Sequence, residues 1–387
     1  MTRESKLLID TLALAVANKP FAMPEDVDWD VFLRLCKSHN VCALAYDGLR
    51  KNGQALKMLP REVSEYLGKT YYRAIYQDAQ MDHIHEILQK ELIGRGIRHI
   101  FLKGICLKRD YPEPALRVMC DIDVLVRTED YAAIGEIARG AGGVPCDGDG
   151  NHYIFVFRNG VTVEFHPNLL HQASPVGVGI NPGWQYAASS GSPAMELTEE
   201  GFYLSILCHL AHHFACGGVG VRFVLDIWVC RHLRKKQPDR KVLEEMLSHL
   251  ELLEFARNIE QLAECWFSGE SMNLLLEELS EYIITSGSHG TTERAMLNAV
   301  SLAPDHSAAS ALWRRAFYPR AELEDRFPWC RNKPVLLPAA WIARAFGVVT
   351  KRGHLILQWH KGTGKIAKED ARQQREKLKR FGISIER

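Results

Sequence analysis

The chain has 387 residues, more than one ordinary domain needs, and its 47% hydrophobic and 25% charged residues are typical of folded globular proteins rather than disordered or fibrous ones. Its 48 basic residues nearly balance its 47 acidic residues, so no whole-chain charge surplus favours a nucleic-acid partner. No apolar run reaches the roughly 18 residues of a membrane span, and the ten cysteines form no CxxC pair, so we expect a cytoplasmic protein with reduced cysteines and no membrane partner.

Residues 1–84 are predicted to form an N-terminal helical region. Apolar residues over 7–15 recur at helical spacing, which favours an amphipathic first helix over a signal peptide. The same pattern returns over 28–36 and 40–49. A longer helix is predicted from about residue 60 to residue 93, because two glycines suited to a C-terminal cap follow it.

Residues 85–171 are predicted to form a small mixed α/β unit, since short apolar and alternating runs replace the helical pattern. An Asn-Gly pair between two alternating runs is a strong hairpin signal. The predicted elements are strands at 98–102 and 120–126, a capped helix at 128–141, and a hairpin of strands at 152–157 and 161–166.

The remaining chain is predicted to be a linker, a C-terminal helical domain and a charged tail. The linker, residues 172–194, is rich in Gly, Pro, Ser and Ala. The helical domain spans 196–350, with helices predicted at 202–214, 223–233, 242–267 and 272–282. The tail, 351–387, indicates a solvated terminal helix or a frayed end, with a nucleic-acid contact as the alternative.

The acidic pair Asp121 and Asp123 is the strongest candidate for chemistry. Residues two apart in a strand point to the same side, roughly 6–7 Å apart. Two carboxylates placed there repel each other unless a cation lies between them, and Mg²⁺ takes carboxylate oxygens in phosphoryl and nucleotidyl transfer. Such a pair is by itself common in strands that have one wet face.

The neighbourhood of this pair strengthens the interpretation. Gly104 allows close approach of the backbone to phosphate, and Lys103 adds a positive charge at the same turn. Arg117 offers a bidentate contact to phosphate oxygens. Glu164 lies in the second strand of the predicted hairpin, flanked by apolar residues, and facing the two aspartates would explain a carboxylate there.

The string LKGICLKRDYPEPALRVMCDIDVLV resembles the uncharacterised nucleotidyltransferase family of bacterial proteins, a branch of the polymerase-β-like nucleotidyltransferase superfamily. The resemblance covers roughly residues 30–350 and is sharpest over 98–126. Its matching elements are Leu102-Lys103-Gly104, Tyr111-Pro112, Arg117, Asp121 to Val126, Glu164-Phe165-His166, His209-Leu210-Ala211-His212-His213, Arg222 and Asp226.

The resemblance implies an α+β fold, in which a small mixed-sheet, polymerase-β-like core is flanked by the two helical regions. It implies an enzyme that transfers a nucleoside monophosphate from NTP to an acceptor hydroxyl, with Mg²⁺, or alternatively Mn²⁺, as cofactor. Asp121, Asp123 and Glu164 would be the catalytic residues and metal ligands, and Glu164 would also help to deprotonate the acceptor. The nucleotide-binding residues would be Lys103, Gly104, Arg117, Arg222 and Asp226.

Two features depart from the wider superfamily, which marks its phosphate turn with Gly-Ser and has a shorter interval between turn and acidic pair. Here Lys103-Gly104 is followed by Ile105. For the acceptor, the neutral charge balance favours a small molecule, peptide or protein over nucleic acid. The sequence does not indicate which NTP is used or whether the chain forms oligomers.

Several histidines and one ion pair admit two interpretations each. His209, His212 and His213 either line the cleft or, less in keeping with the missing HExxH pattern, bind zinc. His166 either supports Glu164 from behind a metal site or simply packs. Arg222 and Asp226, four apart on a helix, either pair with each other or close the cleft over base or ribose.

These alternatives leave two other functions open besides nucleotidyl transfer. One is a catalytically silent nucleotide-binding or interaction protein that keeps the nucleotidyltransferase fold. The other is a hydrolase with a histidine-rich metal site, which would require His209 to hold stoichiometric zinc.

Overall fold

The structure is a computed structural model of the chain. The residues it describes are 1–146, 153–171, 174–188, 191–288, 290–317, 320, 323–324, 327–330, 333–345, 359 and 362–383. The first residue of the predicted hairpin, His152, and parts of the predicted linker and charged tail lie outside this set.

The N-terminal region is helical, as predicted. Asp28 begins the second helix by accepting hydrogen bonds from the backbone N–H groups of Asp30 and Val31, and Gly96 follows the long fifth helix in a left-handed conformation with φ +69°. The helices are α1 (Arg3–Ala17), α2 (Trp29–Ser38), α3 (Cys42–Lys51), α4 (Gly53–Met58) and α5 (Arg61–Gly94).

A mixed sheet forms the middle of the molecule. In the described part of the chain its strands are β1 (His99–Phe101), β2 (Asp121–Leu125), β3 (Val144–Cys146), β4 (Tyr153–Val156), β5 (Thr162–His166), β6 (Ala187–Ala188) and β7 (Ala194–Leu197), in the order β3-β4-β5-β2-β1-β7-β6. The pairs β2–β5 and β1–β7 are parallel, and the other neighbours are antiparallel. Together with the many helices, this sheet confirms the predicted α+β class.

The predicted hairpin is confirmed. β4 and β5 pair antiparallel with Val156 opposite Thr162, and Gly160 takes φ +82° in the turn between them. Glycine adopts this left-handed conformation without a Cβ clash, which is why the Asn-Gly pair turns the chain here.

The other helices connect and cover the sheet. Thr198 begins α8 by accepting a hydrogen bond from the backbone N–H of Gly201. The helices are α6 (Lys103–Leu107), α7 (Tyr131–Gly140), α8 (Glu199–Cys216), α9 (Val221–His232), α10 (Arg240–His249), α11 (Leu253–Ala263), α12 (Leu274–Ile284), α13 (Thr292–Ser301), α14 (Ala308–Ala316) and α15 (Lys368–Arg380).

Three predictions from local pattern were wrong. Residues 194–197 form β7, although residue 194 was predicted to end the linker and residue 196 to begin the helical domain. Pairing with β1, almost a hundred residues earlier, outweighs a weak local pattern. The helix predicted over 242–267 is broken between α10 and α11, where Glu251 has φ +57°. The last helix, α15, is not merely solvated, since Leu378 and Phe381 are fully buried.

The sheet separates two apolar cores. One contains Ile122 and Val124 of β2 with the second half of α5 and α7. The other joins α1 and α3 to α8, α9, α11 and α12, so helices from both ends of the chain share it. Because side chains alternate along β2, Asp121 and Asp123 point away from the first core and toward the helices of the second.

Candidate functional site

A cavity of about 370 Å³ lies where the strand ends of the sheet meet helices α8 and α9. Every site residue predicted from the sequence borders it. The lining includes Lys103, Gly104, Arg117, Asp121, Asp123, Glu164, His166, His209, His213, Arg222 and Asp226, and also residues that received no role from the sequence, among them Asn40, Met119, Cys120, His171 and Phe223.

One wall of the cavity contains the carboxylates Asp121, Asp123 and Glu164, and we call it the acidic wall. It is built by the β2–β5 pairing. The register places Asp123 beside Glu164, and Leu125 beside His166. His166 Nε2 lies 2.7 Å from Asp123 Oδ1 and 3.6 Å from Glu164 Oε2. Among the described residues, Asp123, Glu164 and His166 form a group whose ligand atoms all lie within 4.8 Å of one another. These oxygen and nitrogen donors suit a divalent metal ion.

The two aspartates of this wall have opposite electrostatic surroundings. Burial raises the pKa of Asp121, and the negative charges of Asp123 and Glu164 raise it further. Burial also disfavours the charged form of Asp123, but Lys103 and the contact with His166 outweigh it and hold the pKa of Asp123 below its usual range. The wall therefore contains more negative charge than its own partners neutralise.

Lys103 stands at the turn between β1 and α6 and is paired with the acidic wall. Its Nζ lies 3.5 Å from Asp123 Oδ2, and both side chains are largely buried. Its backbone takes φ +43°, which is unfavourable for a residue with a Cβ. Strained backbone of this kind persists where the surrounding structure holds it, frequently at functional sites.

Gly104 is required by close packing behind the same turn. A Cβ at this position would lie 2.5 Å from Met119 Sδ and 3.1 Å from Arg117 Nη1. The turn therefore rests on two side chains of the segment leading into β2. This packing requirement is separate from the approach to phosphate that we predicted for Gly104.

Arg117 is engaged by a carboxylate of the helical region. Its Nε and Nη2 donate to Asp226 Oδ1 and Oδ2, both at 2.8 Å, and the Tyr111 hydroxyl donates to Oδ1 at 2.6 Å. We call this buried group of Tyr111, Arg117 and Asp226 the clamp. The sequence suggested Arg222 as the partner of Asp226, but their closest nitrogen and oxygen are 3.7 Å apart. The stronger pairing joins residues 109 positions apart, which local spacing does not indicate.

Among the described contacts, Arg222 is less completely hydrogen-bonded than Arg117. Its Nε is buried and, within the described part of the chain, has no hydrogen-bond partner. Burial lowers the pKa of Arg222, and the nearby charge of Arg117 lowers it further. Two guanidinium groups thus share one carboxylate, and the cavity wall at this point has a surplus of positive charge that an anion would compensate.

The histidines of α8 line the cavity, as one of their two interpretations required. The His209 and His213 rings lie 4.4 Å apart, and His212 Nδ1 lies 2.9 Å from Ser174 Oγ. Burial, followed by the charge of Lys103, lowers the pKa of His209, and burial lowers that of His212 to about 4, so both are neutral at pH 7. Within the described residues these histidines do not form a compact metal-ligand group, unlike Asp123, Glu164 and His166.

The family comparison covers this whole site. A family model described as "Uncharacterised nucleotidyltransferase" matches residues 25–268, more than half of the chain and every residue of the cavity lining. A search of curated proteins and a search of solved structures found no match.

Proposed function

The chain belongs to the uncharacterised nucleotidyltransferase family, and we propose from this that it transfers a nucleoside monophosphate from an NTP to an acceptor hydroxyl in a metal-dependent reaction. The mixed α/β sheet with its flanking helices is consistent with the proposed polymerase-β-like core.

One observation supports the proposal most: the register of β2 and β5, which brings Asp123 beside Glu164 at a cavity that also contains unsatisfied positive charge. Acidic residues alone would repel a triphosphate. A cavity with both a cation-binding wall and a cationic wall suits a metal–triphosphate complex. In that complex the metal would neutralise charge and orient the reacting phosphate.

The residues present fit a divalent ion, because the donors of Asp123, Glu164 and His166 lie within 4.8 Å of one another. Asp121 borders the same cavity one alternation earlier on β2, and we retain it as a proposed ligand with Asp123 and Glu164. The resemblance implies Mg²⁺, with Mn²⁺ as the alternative, and the proposed function requires only that one of these two ions is bound.

The proposed phosphate contacts are Lys103, the backbone at Gly104, and Arg222. Lys103 is held near Asp123, from which its flexible side chain would reach a bound phosphate. Arg117 and Asp226, which we predicted to bind the nucleotide, are bonded to each other, and we propose that they position Arg222 and the turn at Gly104.

The acceptor enters the proposal only as a class. The near-neutral charge balance of the chain favours a small-molecule, peptide or protein acceptor over nucleic acid. No helix of the described residues is long and apolar enough to cross a membrane. A cytoplasmic location stays a prediction, as do the domain boundaries.

The proposal is tested by calorimetric titration with a non-hydrolysable NTP in the presence of Mg²⁺ or of Mn²⁺, together with pyrophosphate release from NTP across a panel of acceptors. We expect binding by the wild-type protein and loss of pyrophosphate release in Asp123→Asn and Glu164→Gln, with the exposed Glu245→Gln as control. Binding without release in the wild type would favour the silent nucleotide-binding alternative. Failure to bind the nucleotide with either metal would refute the proposal.

A further inference from the structure

The imidazole of His166 contacts two carboxylates of the acidic wall, whereas a histidine that only supports a metal ligand would contact one. It follows Glu164 by two positions on β5, so both side chains leave the strand on the same side. Its Nε2 nevertheless approaches carboxylates on two strands, Asp123 Oδ1 at 2.7 Å and Glu164 Oε2 at 3.6 Å. A histidine that supports one ligand from behind needs contact with only that carboxylate.

The three atoms have the spacing expected of ligands around one ion. Donors about 2.1 Å from a metal are about 3.0 Å apart when they bind at right angles and about 4.2 Å apart when they bind on opposite sides. The two His166 distances fall close to or between these values, and all three ligand atoms lie within 4.8 Å of one another. Lys103 contacts the other oxygen of Asp123, Oδ2, so it does not separate the three donors.

We infer that His166 is a direct nitrogen ligand of the metal ion, beside Asp123 and Glu164, and that the site consequently prefers Mn²⁺ to Mg²⁺. The inference rests on the proposed function, because it concerns the metal of that reaction. Mg²⁺ strongly favours oxygen ligands, whereas divalent transition metals such as Mn²⁺ also accept imidazole nitrogen. This differs from the sequence-based interpretation, which placed His166 behind the ligands.

Pulsed electron paramagnetic resonance of the full-length protein with Mn²⁺ tests direct ligation. A nitrogen bound to Mn²⁺ modulates the electron spin echo, whereas an imidazole hydrogen-bonded to a ligand does not give the coupling of a bound nitrogen. We expect this modulation in the wild type, with and without a non-hydrolysable NTP. It should disappear in His166→Gln and persist in His249→Gln, an exposed histidine on α10.

Calorimetric titration of the protein with Mn²⁺ alone and with Mg²⁺ alone tests the inferred preference for Mn²⁺. We expect the wild type to bind Mn²⁺ at least about tenfold more tightly than Mg²⁺, and His166→Asp, which supplies oxygen instead of nitrogen, to narrow that ratio. Circular dichroism checks that the variants fold. The wild-type spin-echo measurement remains decisive if a variant does not.

The outcomes separate this inference from the proposed function. Mn²⁺ that is bound and then lost in Asp123→Asn, but shows no nitrogen modulation in the wild type, overturns the inference and leaves nucleotidyl transfer intact. Modulation that persists in folded His166→Gln assigns the nitrogen to another residue and also overturns it. If neither metal binds with or without nucleotide, the inference and the proposed function fail together.

Discussion

The acidic wall and the clamp border the same cavity, yet their charges are arranged in opposite ways. In the clamp, Asp226 receives three short hydrogen bonds from Arg117 and Tyr111 and is fully compensated. On the acidic wall, Asp121, Asp123 and Glu164 crowd like charges against one lysine and one histidine. The comparison indicates that the clamp is a charge-compensated structural group, whereas the uncompensated carboxylates of the wall are the proposed cation site.

Breaking the clamp should have the largest effect on stability. Asp226→Asn removes the only carboxylate bonded to Arg117 among the described contacts and leaves that guanidinium buried without its counter-charge. We expect a loss of about 3–5 kcal/mol in the free energy of unfolding, measured by urea denaturation. Asp121→Asn on the acidic wall is the matched variant and should lose far less, because burial and the neighbouring carboxylates already disfavour the charged form of Asp121 in the folded protein. Equal losses in the two variants would remove the distinction between the regions.

Substitutions of Arg222 and Arg117 should have different effects, the first on nucleotide affinity and the second on the stability of the fold. Arg222→Met should lower the affinity for a non-hydrolysable NTP by about tenfold or more, the effect of one charge-assisted contact, with little loss of stability. Arg117→Met should mainly destabilise the fold, because it leaves Asp226 without its bidentate partner. Calorimetric titration and urea denaturation of both variants provide the two measurements. An Arg222→Met protein that binds NTP normally would contradict the assigned role.

The acidic wall should make stability depend on pH in an unusual direction. The pKa of Asp121 is raised in the folded protein, so the folded chain holds this proton more tightly than the unfolded chain. Its contribution favours folding at acid pH and is lost as pH rises through the folded pKa. Between about pH 5 and pH 9 we expect the wild type to lose on the order of 1 kcal/mol relative to Asp121→Asn.

Thermal unfolding of both proteins across that range measures the difference, and Glu245→Gln, which changes an exposed carboxyl, controls for the general effect of pH. A wild type that gains stability relative to Asp121→Asn as pH rises would mean that Asp121 is well compensated. The acidic wall would then resemble the clamp rather than contrast with it.

The smallest expected effect concerns the backbone at Lys103. Lys103→Ala and Lys103→Gly both remove the ammonium group, but only glycine accepts φ +43° without a Cβ clash. The glycine variant should therefore be more stable than the alanine variant by about 1 kcal/mol, the reverse of their usual order in a helix. Denaturant unfolding of the pair measures the difference. Equal stabilities would show that no backbone strain is held at this turn.

The carboxylates of the acidic wall were predictable from sequence because their strand and hairpin signals are local, whereas the β2–β5 register that brings them together is not a local signal. Alternation in β2 places Asp121 and Asp123 on one face, and the Asn-Gly turn aligns β4 and β5. The clamp was not predictable, because Arg117 and Asp226 meet only through packing of α9 against the segment before β2. Likewise, β7 exists through its pairing with β1, and nothing in residues 194–197 alone specifies a strand.

The difference between local signals and long-range contacts also explains why the structure changed the interpretation of His166, Arg222 and Asp226. His166 was recognised by its position two residues after Glu164, but its approach to Asp123 depends on the β2–β5 register, which the hairpin signal does not give. Arg222 and Asp226 suggested an intrahelical pair because spacing of four is the only relation visible along one helix. Competition from Arg117 becomes apparent only in three dimensions.

The close packing of Gly104 against Arg117 connects the acidic wall to the clamp. Arg117 Nη1 would lie 3.1 Å from a Cβ on Gly104, while the other nitrogens of the same guanidinium hold Asp226 on α9. A side chain at position 104 would displace Arg117 and so disturb its bidentate hydrogen bonds to Asp226 on α9. The shape of the turn at Lys103 and Gly104 therefore depends on α9, a helix that begins more than a hundred residues later in the chain.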